Sequence, residues 1–274
     1  MDIIKIDFSP GSLADPTSSP FIIPIAVWEN VNTFLTAIAN VDYDIDNYIG
    51  WALAPTNQIY NPDNFDFSTL KQFAARWVSS DYPNLKLLAQ HINTFGATTI
   101  PAGITQLQQV SPKFQNGTYS PGDISQFKAT VKTLGDAAYA LSNIIQNLNI
   151  DAQQTNYELS GGTVFLAAVA LVKEKFDPKN YQDPNQDAQN IYNSMIQFEN
   201  TFNWNNFNTA FQCFSDVAGT LSTLTSEFDN ANTKIDSVAF NNNPFEVDGS
   251  FDVAQSDWQQ VAMDAQNFIA SLPA

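Results

Sequence analysis

Apolar or small residues fall at Ile124, Phe127, Val131, Leu134, Ala138, Leu141, Ile145, Leu148 and Ala152, in steps that alternate three and four. That is the heptad spacing of a helix with one apolar seam. Pro121 and Asp123 suit its start, and Gly161-Gly162 suit its stop. A second seam runs Phe214, Val217, Leu221, Leu224, Phe228, Ala231, Ile235, Val238 with the same alternation. Ile191, Met195, Phe198 and Phe202 precede it in another frame. The frame slips at Asn203-Trp204-Asn205-Asn206, which marks a stutter or a break. Between the two seams lies Gly161-Gly162 followed by Thr163 to Val172, ten residues whose only polar side chain is Thr163. Lys173, Glu174 and Lys175 mark its edge and Asp177-Pro178 its end. The pattern predicts an antiparallel helical hairpin over 121–238, with an apolar segment at 161–176. At ~1.5 Å per residue, helices over 123–159 and 186–238 would span roughly 55 and 80 Å.

Elsewhere the pattern is shorter. Ile4, Ile6 and Phe8 alternate, which suits a short strand or an extended arm, and residues 9–20 carry Pro, Gly and Ser turn chemistry. From Pro24, the positions Trp28, Val31, Leu35, Ile38 and Ile45 predict a helix ending near Gly50, with Pro55 and Pro62 in a following loop. Phe67, Leu70, Phe73, Ala74 and Trp77 predict a helix stopped before Pro83. Leu85, Leu88, Ile92 and Phe95 predict another stopped by Gly96. Residues 97–122 read as mixed turn chemistry around a short helical patch at Ile104, Leu107 and Val110. Asn241 to Pro244 and Asp248-Gly249 read as turns, and Trp258, Val261, Ala265, Phe268 and Leu272 mark a last helix. The expected class is mostly α: an elongated bundle of about five or six helices, with two long heptad helices flanking a short apolar head. Residues 1–274 are read as one domain, divided into an arm (1–20), shorter helices (21–120), the hairpin (121–238) and a C-terminal helix (239–274).

Charge narrows the partners. The net charge is −17, from 28 acidic and 11 basic residues. Such a field repels phosphate backbones, and no basic patch offsets it, so nucleic acid is excluded as a partner. It also opposes docking on anionic lipid, so any membrane contact rests on apolar burial, neutral lipid or a receptor. Residues 1–8 have neither a basic n-region nor an apolar h-region of a signal peptide, and no stretch reaches the ~20 apolar residues of a spanning helix. The expectation is a soluble product, exported by a non-Sec route or retained in the cytoplasm.

Composition offers little chemistry. Cys213 is the single cysteine, so no intrachain disulfide forms, and it reads as a small buried hydrophobe. His91, the single histidine, has no Cys or acidic cluster at ligand spacing and reads as a structural or surface residue. Asp42, Asp44 and Asp46 resemble the opening of a calcium loop, but the required glycine is Asn47 and the closing carboxylate is Leu53. The remaining carboxylates are scattered singly. The sequence therefore names no catalytic residue, no metal and no cofactor, and the chain is expected not to be an enzyme.

The apolar segment carries the functional question. It suits a buried helix of two or three turns or one core strand. Its position at the turn of a helical hairpin also raises the reading of a membrane-active tip, because an apolar patch between long polar helices needs covering. In layout the chain resembles the α-helical pore-forming toxins of the cytolysin A and haemolysin BL type: long heptad helices over 123–159 and 186–238, an apolar head at 163–172, and further helices at both termini. The apolar head is short, and the two long helices differ in length, which departs from that layout unless the break near Trp204 folds one helix back. The resemblance implies a soluble component of a membrane-perforating toxin, one part of a multi-component system or self-assembling, that rearranges at a target-cell membrane. It implies Val164, Phe165, Leu166, Val169, Leu171 and Val172 as insertion residues and Gly161, Gly162 and Pro178 as hinges. The competing reading is a non-lytic helical scaffold whose seams bind a partner.

Overall fold

The computed structural model describes residues 2–42, 67–159, 163–179, 186–239 and 244–272. Among these the chain is almost entirely helical. The helices are α1 (Ile25–Ala39), α2 (Phe67–Arg76), α3 (Tyr82–Thr94), α4 (Ile100–Gln115), α5 (Pro121–Leu159), α6 (Thr163–Lys175), α7 (Gln186–Thr201), α8 (Trp204–Ala239) and α9 (Phe251–Ser271). Two short strands, β1 (Asp2–Lys5) and β2 (Phe245–Asp248), pair in parallel from Asp2 opposite Phe245 to Lys5 opposite Asp248. The mostly α class is the one the seams predict. The chain divides into two compact units.

The first unit comprises residues 1–23, 86–147 and 213–274. Its two long segments, from α5 and α8, run antiparallel. Lys128 Nζ donates to Asp236 at 2.7 Å, and Gly135 lies against Phe228 and Asp229 seven residues further along. The seam residues face inward: from Phe127 to Ile145 on α5 and from Phe214 to Val238 on α8, each is buried. The N-terminal arm folds as its alternation predicts, with Ile4, Ile6 and Phe8 all buried. Trp258 of α9 donates its indole N–H to the Phe8 carbonyl at 2.6 Å, and the Phe8 ring meets Phe228 edge-on at 5.3 Å. The start of α5 is a reciprocal cap. The backbone N–H of Ser120 donates to Asp123 at 2.8 Å, and that of Asp123 to the Ser120 hydroxyl, the arrangement of a capping box.

Residues 67–115 differ from the sequence expectation. Neither Pro83 nor Gly96 stops a helix; α2, α3 and α4 follow one another without interruption, joined by π turns at Trp77–Asp81 and Phe95–Thr99. A proline clashes with the carbonyl four residues back. For Pro83 that carbonyl belongs to Ser79 and for Pro101 to Ala97, each inside a π turn, where bonds run five residues instead of four. The widened turn accommodates the ring. The patch at Ile104, Leu107 and Val110 is correspondingly a full helix, α4, ended by Gly117 at φ +66.

The second unit comprises residues 24–85 and 148–212. Here α1 ends at Asn40, whose N–H returns to the Thr36 carbonyl. Ile45 and Gly50, where the spacing placed its end, lie outside the described residues, as do Asp44, Asp46, Asn47 and Leu53 of the calcium-like stretch. The frame slip at Asn203 is a true break: α7 stops at Thr201, and the Asn203 side chain caps α8 by accepting from Asn206 N at 3.3 Å. Asn30 of α1 donates to the Thr201 carbonyl at 2.9 Å and satisfies the exposed end of α7.

Candidate functional site

The apolar segment forms α6. With Lys173 and Lys175 in its last turn, the helix ends with positive charge against the negative end of its dipole. Phe165, Ala168, Val169, Val172 and Phe176 follow helical spacing, and all are buried. Their face packs on α7 and an aromatic cluster. The Phe165 ring lies 5.0 Å from that of Phe202, 5.3 Å from Phe34 and 6.3 Å from Phe198. Phe34 in turn meets Phe202 at 5.1 Å and Phe207 at 5.2 Å. These edge-on and tilted arrangements are the ones ring quadrupoles favour. At the far end Lys173 pairs with Glu199 of α7.

The opposite face of α6 is also apolar. Leu166 is 41% exposed, Ala170 is exposed, and Ala167 and Leu171 are half-buried. A surface helix normally turns a polar face to water; from Thr163 to Val172 this one presents none beyond Thr163. So of the predicted insertion residues, Phe165, Val169 and Val172 share the buried face, and Leu166 and Leu171 lie on the other. Val164 lies in α6, with its side chain outside the described residues. Pro178 is exposed in the turn after α6, beside an Asp177 carboxylate that accepts from Lys179 N at 2.8 Å. Gly161 and Gly162 lie outside the described residues.

Sequence reasoning did not assign Phe34 and Phe202 to the apolar segment. The available signal was the density of Phe over 198–214, at positions 198, 202, 207, 211 and 214, more large rings than one seam needs.

Chemistry-bearing side chains do not gather at α6. Among the described residues no group of three or more His, Cys, Asp or Glu is placed to hold a metal ion. His91 is exposed on α3. Cys213 is buried on α8, and burial, with the charge of Asp216 adding to it, pushes its thiol up. Among the described residues no helix is long and apolar enough to cross a membrane.

No family model matches the chain, and no curated protein is similar to it in sequence. Among solved structures it is similar to AhlC of the tripartite alpha-pore forming toxin AHL from Aeromonas hydrophila, at 13% identity over 84% of this chain and 96% of AhlC, with a TM-score of 0.22. The soluble triple head mutant of AhlC matches at 13% identity over 81% of this chain and 97% of that one, with a TM-score of 0.20. The Bacillus cereus HblL1 toxin component matches at 10% identity over 98% and 90%, with a TM-score of 0.28. At such scores the backbones do not superpose as a whole.

Proposed function

We propose that the chain is a soluble, non-enzymatic component of a membrane-perforating assembly of the α-helical pore-forming toxin type, with α6 as the segment that enters lipid. The observation that carries this reading is a helix apolar on all sides, with Leu166 and Ala170 facing water and Phe165 stored in an aromatic cluster. In lipid both faces are compatible with their surroundings; in water only one is. Each large side chain gains ~1.5–3 kcal/mol on leaving water. Lipid offers the same gain as the protein core, so exchange of one for the other costs little on the apolar side. The Lys173–Glu199 pair is partly exposed, and such pairs are worth about 0–1 kcal/mol.

Thirteen residues at ~1.5 Å each reach about 20 Å, short of the ~30 Å hydrocarbon core. A single α6 therefore enters one leaflet, and a complete perforation requires further copies or sister components. The target is a membrane of neutral lipid, or one with a receptor, because the net charge of −17 opposes an anionic surface.

One observation favours the alternative, a non-lytic helical scaffold: Phe165 is fully buried and makes ring contacts with three other residues, as a core residue would.

Dye release and flotation with neutral phosphatidylcholine vesicles separate the two. The informative variant is Leu166→Asp with Ala170→Asp, on the exposed face, where substitutions change stability by only about ±0.5 kcal/mol. Val169→Asp would place a charge in the core and unfold the unit. The wild type is expected to bind vesicles, and the double variant to lose binding while keeping its melting temperature. Wild-type protein that neither floats with vesicles nor releases dye would leave the scaffold reading standing.

A further inference from the structure

Away from α6, the second unit carries a groove of about 640 Å³ between α1 and α7. That volume falls within the ~300–1,000 Å³ of small-ligand sites, but such sites are lined mostly by apolar side chains. Here, among the described residues, the apolar lining is two small side chains, Ala37 and Val41. The rest is carboxamide and hydroxyl, apart from the single carboxylate of Asp42. An anionic ligand is opposed by the net charge of −17, and a cationic one finds one partner. The lining therefore suits a ligand that is polar and uncharged.

The carboxamides are preset. An indole N–H can only donate, so the 3.2 Å bond from Trp77 to Asn32 Oδ1 fixes which way the Asn32 amide lies. Its oxygen is engaged, and its NH2 group is left for the groove. On the opposite wall Gln189 donates to Asn193 Oδ1 at 3.0 Å, with the same result. Beside these donors the Thr36 and Ser194 hydroxyls line the groove, and a hydroxyl both donates and accepts. We propose that this groove binds a neutral saccharide. Sugar hydroxyls accept from the Asn32 and Asn193 amides and exchange hydrogen bonds with Thr36 and Ser194, while the C–H face of a ring rests on Ala37 and Val41. An extended peptide could also meet the amides, but it gains its specificity from pockets for alternate side chains, and two small apolar residues do not build them.

An array of neutral oligosaccharides and their sialylated counterparts, probed with the whole protein, tests this, followed by solution titration of the sugar retained best. Neutral glycans should be retained, and sialylated ones more weakly. Asn32→Asp with Asn193→Asp keeps an oxygen for Trp77 and for Gln189 but removes both donors, so affinity should fall at least about tenfold. Should that variant fail to fold, the indole N–H resonance of Trp77 in the wild type decides, since a sugar on Asn32 should shift it saturably. Retention of no neutral glycan, equal retention of sialylated ones, undiminished affinity in the double variant, or an unmoved Trp77 resonance overturns the site. Phosphatidylcholine vesicles carrying the same sugar as a glycolipid then separate its sources, using the Leu166→Asp, Ala170→Asp protein so that α6 contributes nothing. Flotation on them assigns a lipid headgroup, and binding of the free sugar alone assigns a soluble one. The array and the titration involve no membrane, so they stand or fall apart from the function proposed for α6.

Discussion

Gly96 shows how one residue carries opposite meanings in sequence and structure. In a run of helical spacing a glycine reads as a stop. Here it lies within a π turn of a helix that continues, and an added Cβ would stand 2.5 Å from the Trp258 carbonyl oxygen of α9. It is glycine because two backbones touch, a long-range fact that no local pattern encodes. Gly96→Ala is therefore expected to destabilise the first unit by about 1–3 kcal/mol, the cost of forcing apart a packed contact. Chemical denaturation with separate probes of the first unit measures the difference.

At the scale of elements, the seams were the most legible feature. The positions from Phe127 to Leu148 and from Phe214 to Val238 that alternate three and four are the buried ones, because one face of a long helix can be buried only if apolar residues recur at that spacing. The break before α8 was visible as a frame slip, since losing the phase of the seam requires leaving the helix. What was not legible was continuity through Pro83 and Pro101, because the device that tolerates them, a turn widened by one residue, has no composition of its own. Nor did alternation reveal β2, whose partner strand lies at the other end of the chain. For α6, the sequence marked Phe165, Leu166, Val169 and Val172 alike as apolar, and only the structure separates the buried Phe165, Val169 and Val172 from the exposed Leu166. The α5 cap makes an element-scale prediction. The Lys113 ammonium, 2.5 Å from Asp123, and the Ser120 bonds hold the Asp123 carboxyl down at about 2. A depressed acid stabilises above its unfolded value, and that contribution is lost as the pH falls through the folded one. Asp123→Asn should accordingly lower the melting temperature at neutral pH, by a margin that shrinks as the pH falls toward 2, as calorimetry across the acid range would record.

On the scale of the whole molecule, charge and apolar burial oppose one another. Twenty-eight acids against eleven bases produce a field that meets any anionic surface with repulsion. That repulsion reaches ~30 Å at 0.01 M salt and only ~8 Å at 0.15 M. If α6 binds through apolar burial, attachment to neutral vesicles should barely depend on salt. Adding phosphatidylserine should weaken it at low salt, and raising the salt should restore it. Flotation across a lipid-charge and salt grid measures this, and stronger binding to anionic vesicles would show that something other than α6 docks the protein. Acid sharpens the contrast: protonating surface carboxylates lowers the repulsion, so binding to anionic vesicles at low salt should rise on acidification while binding to neutral vesicles changes little.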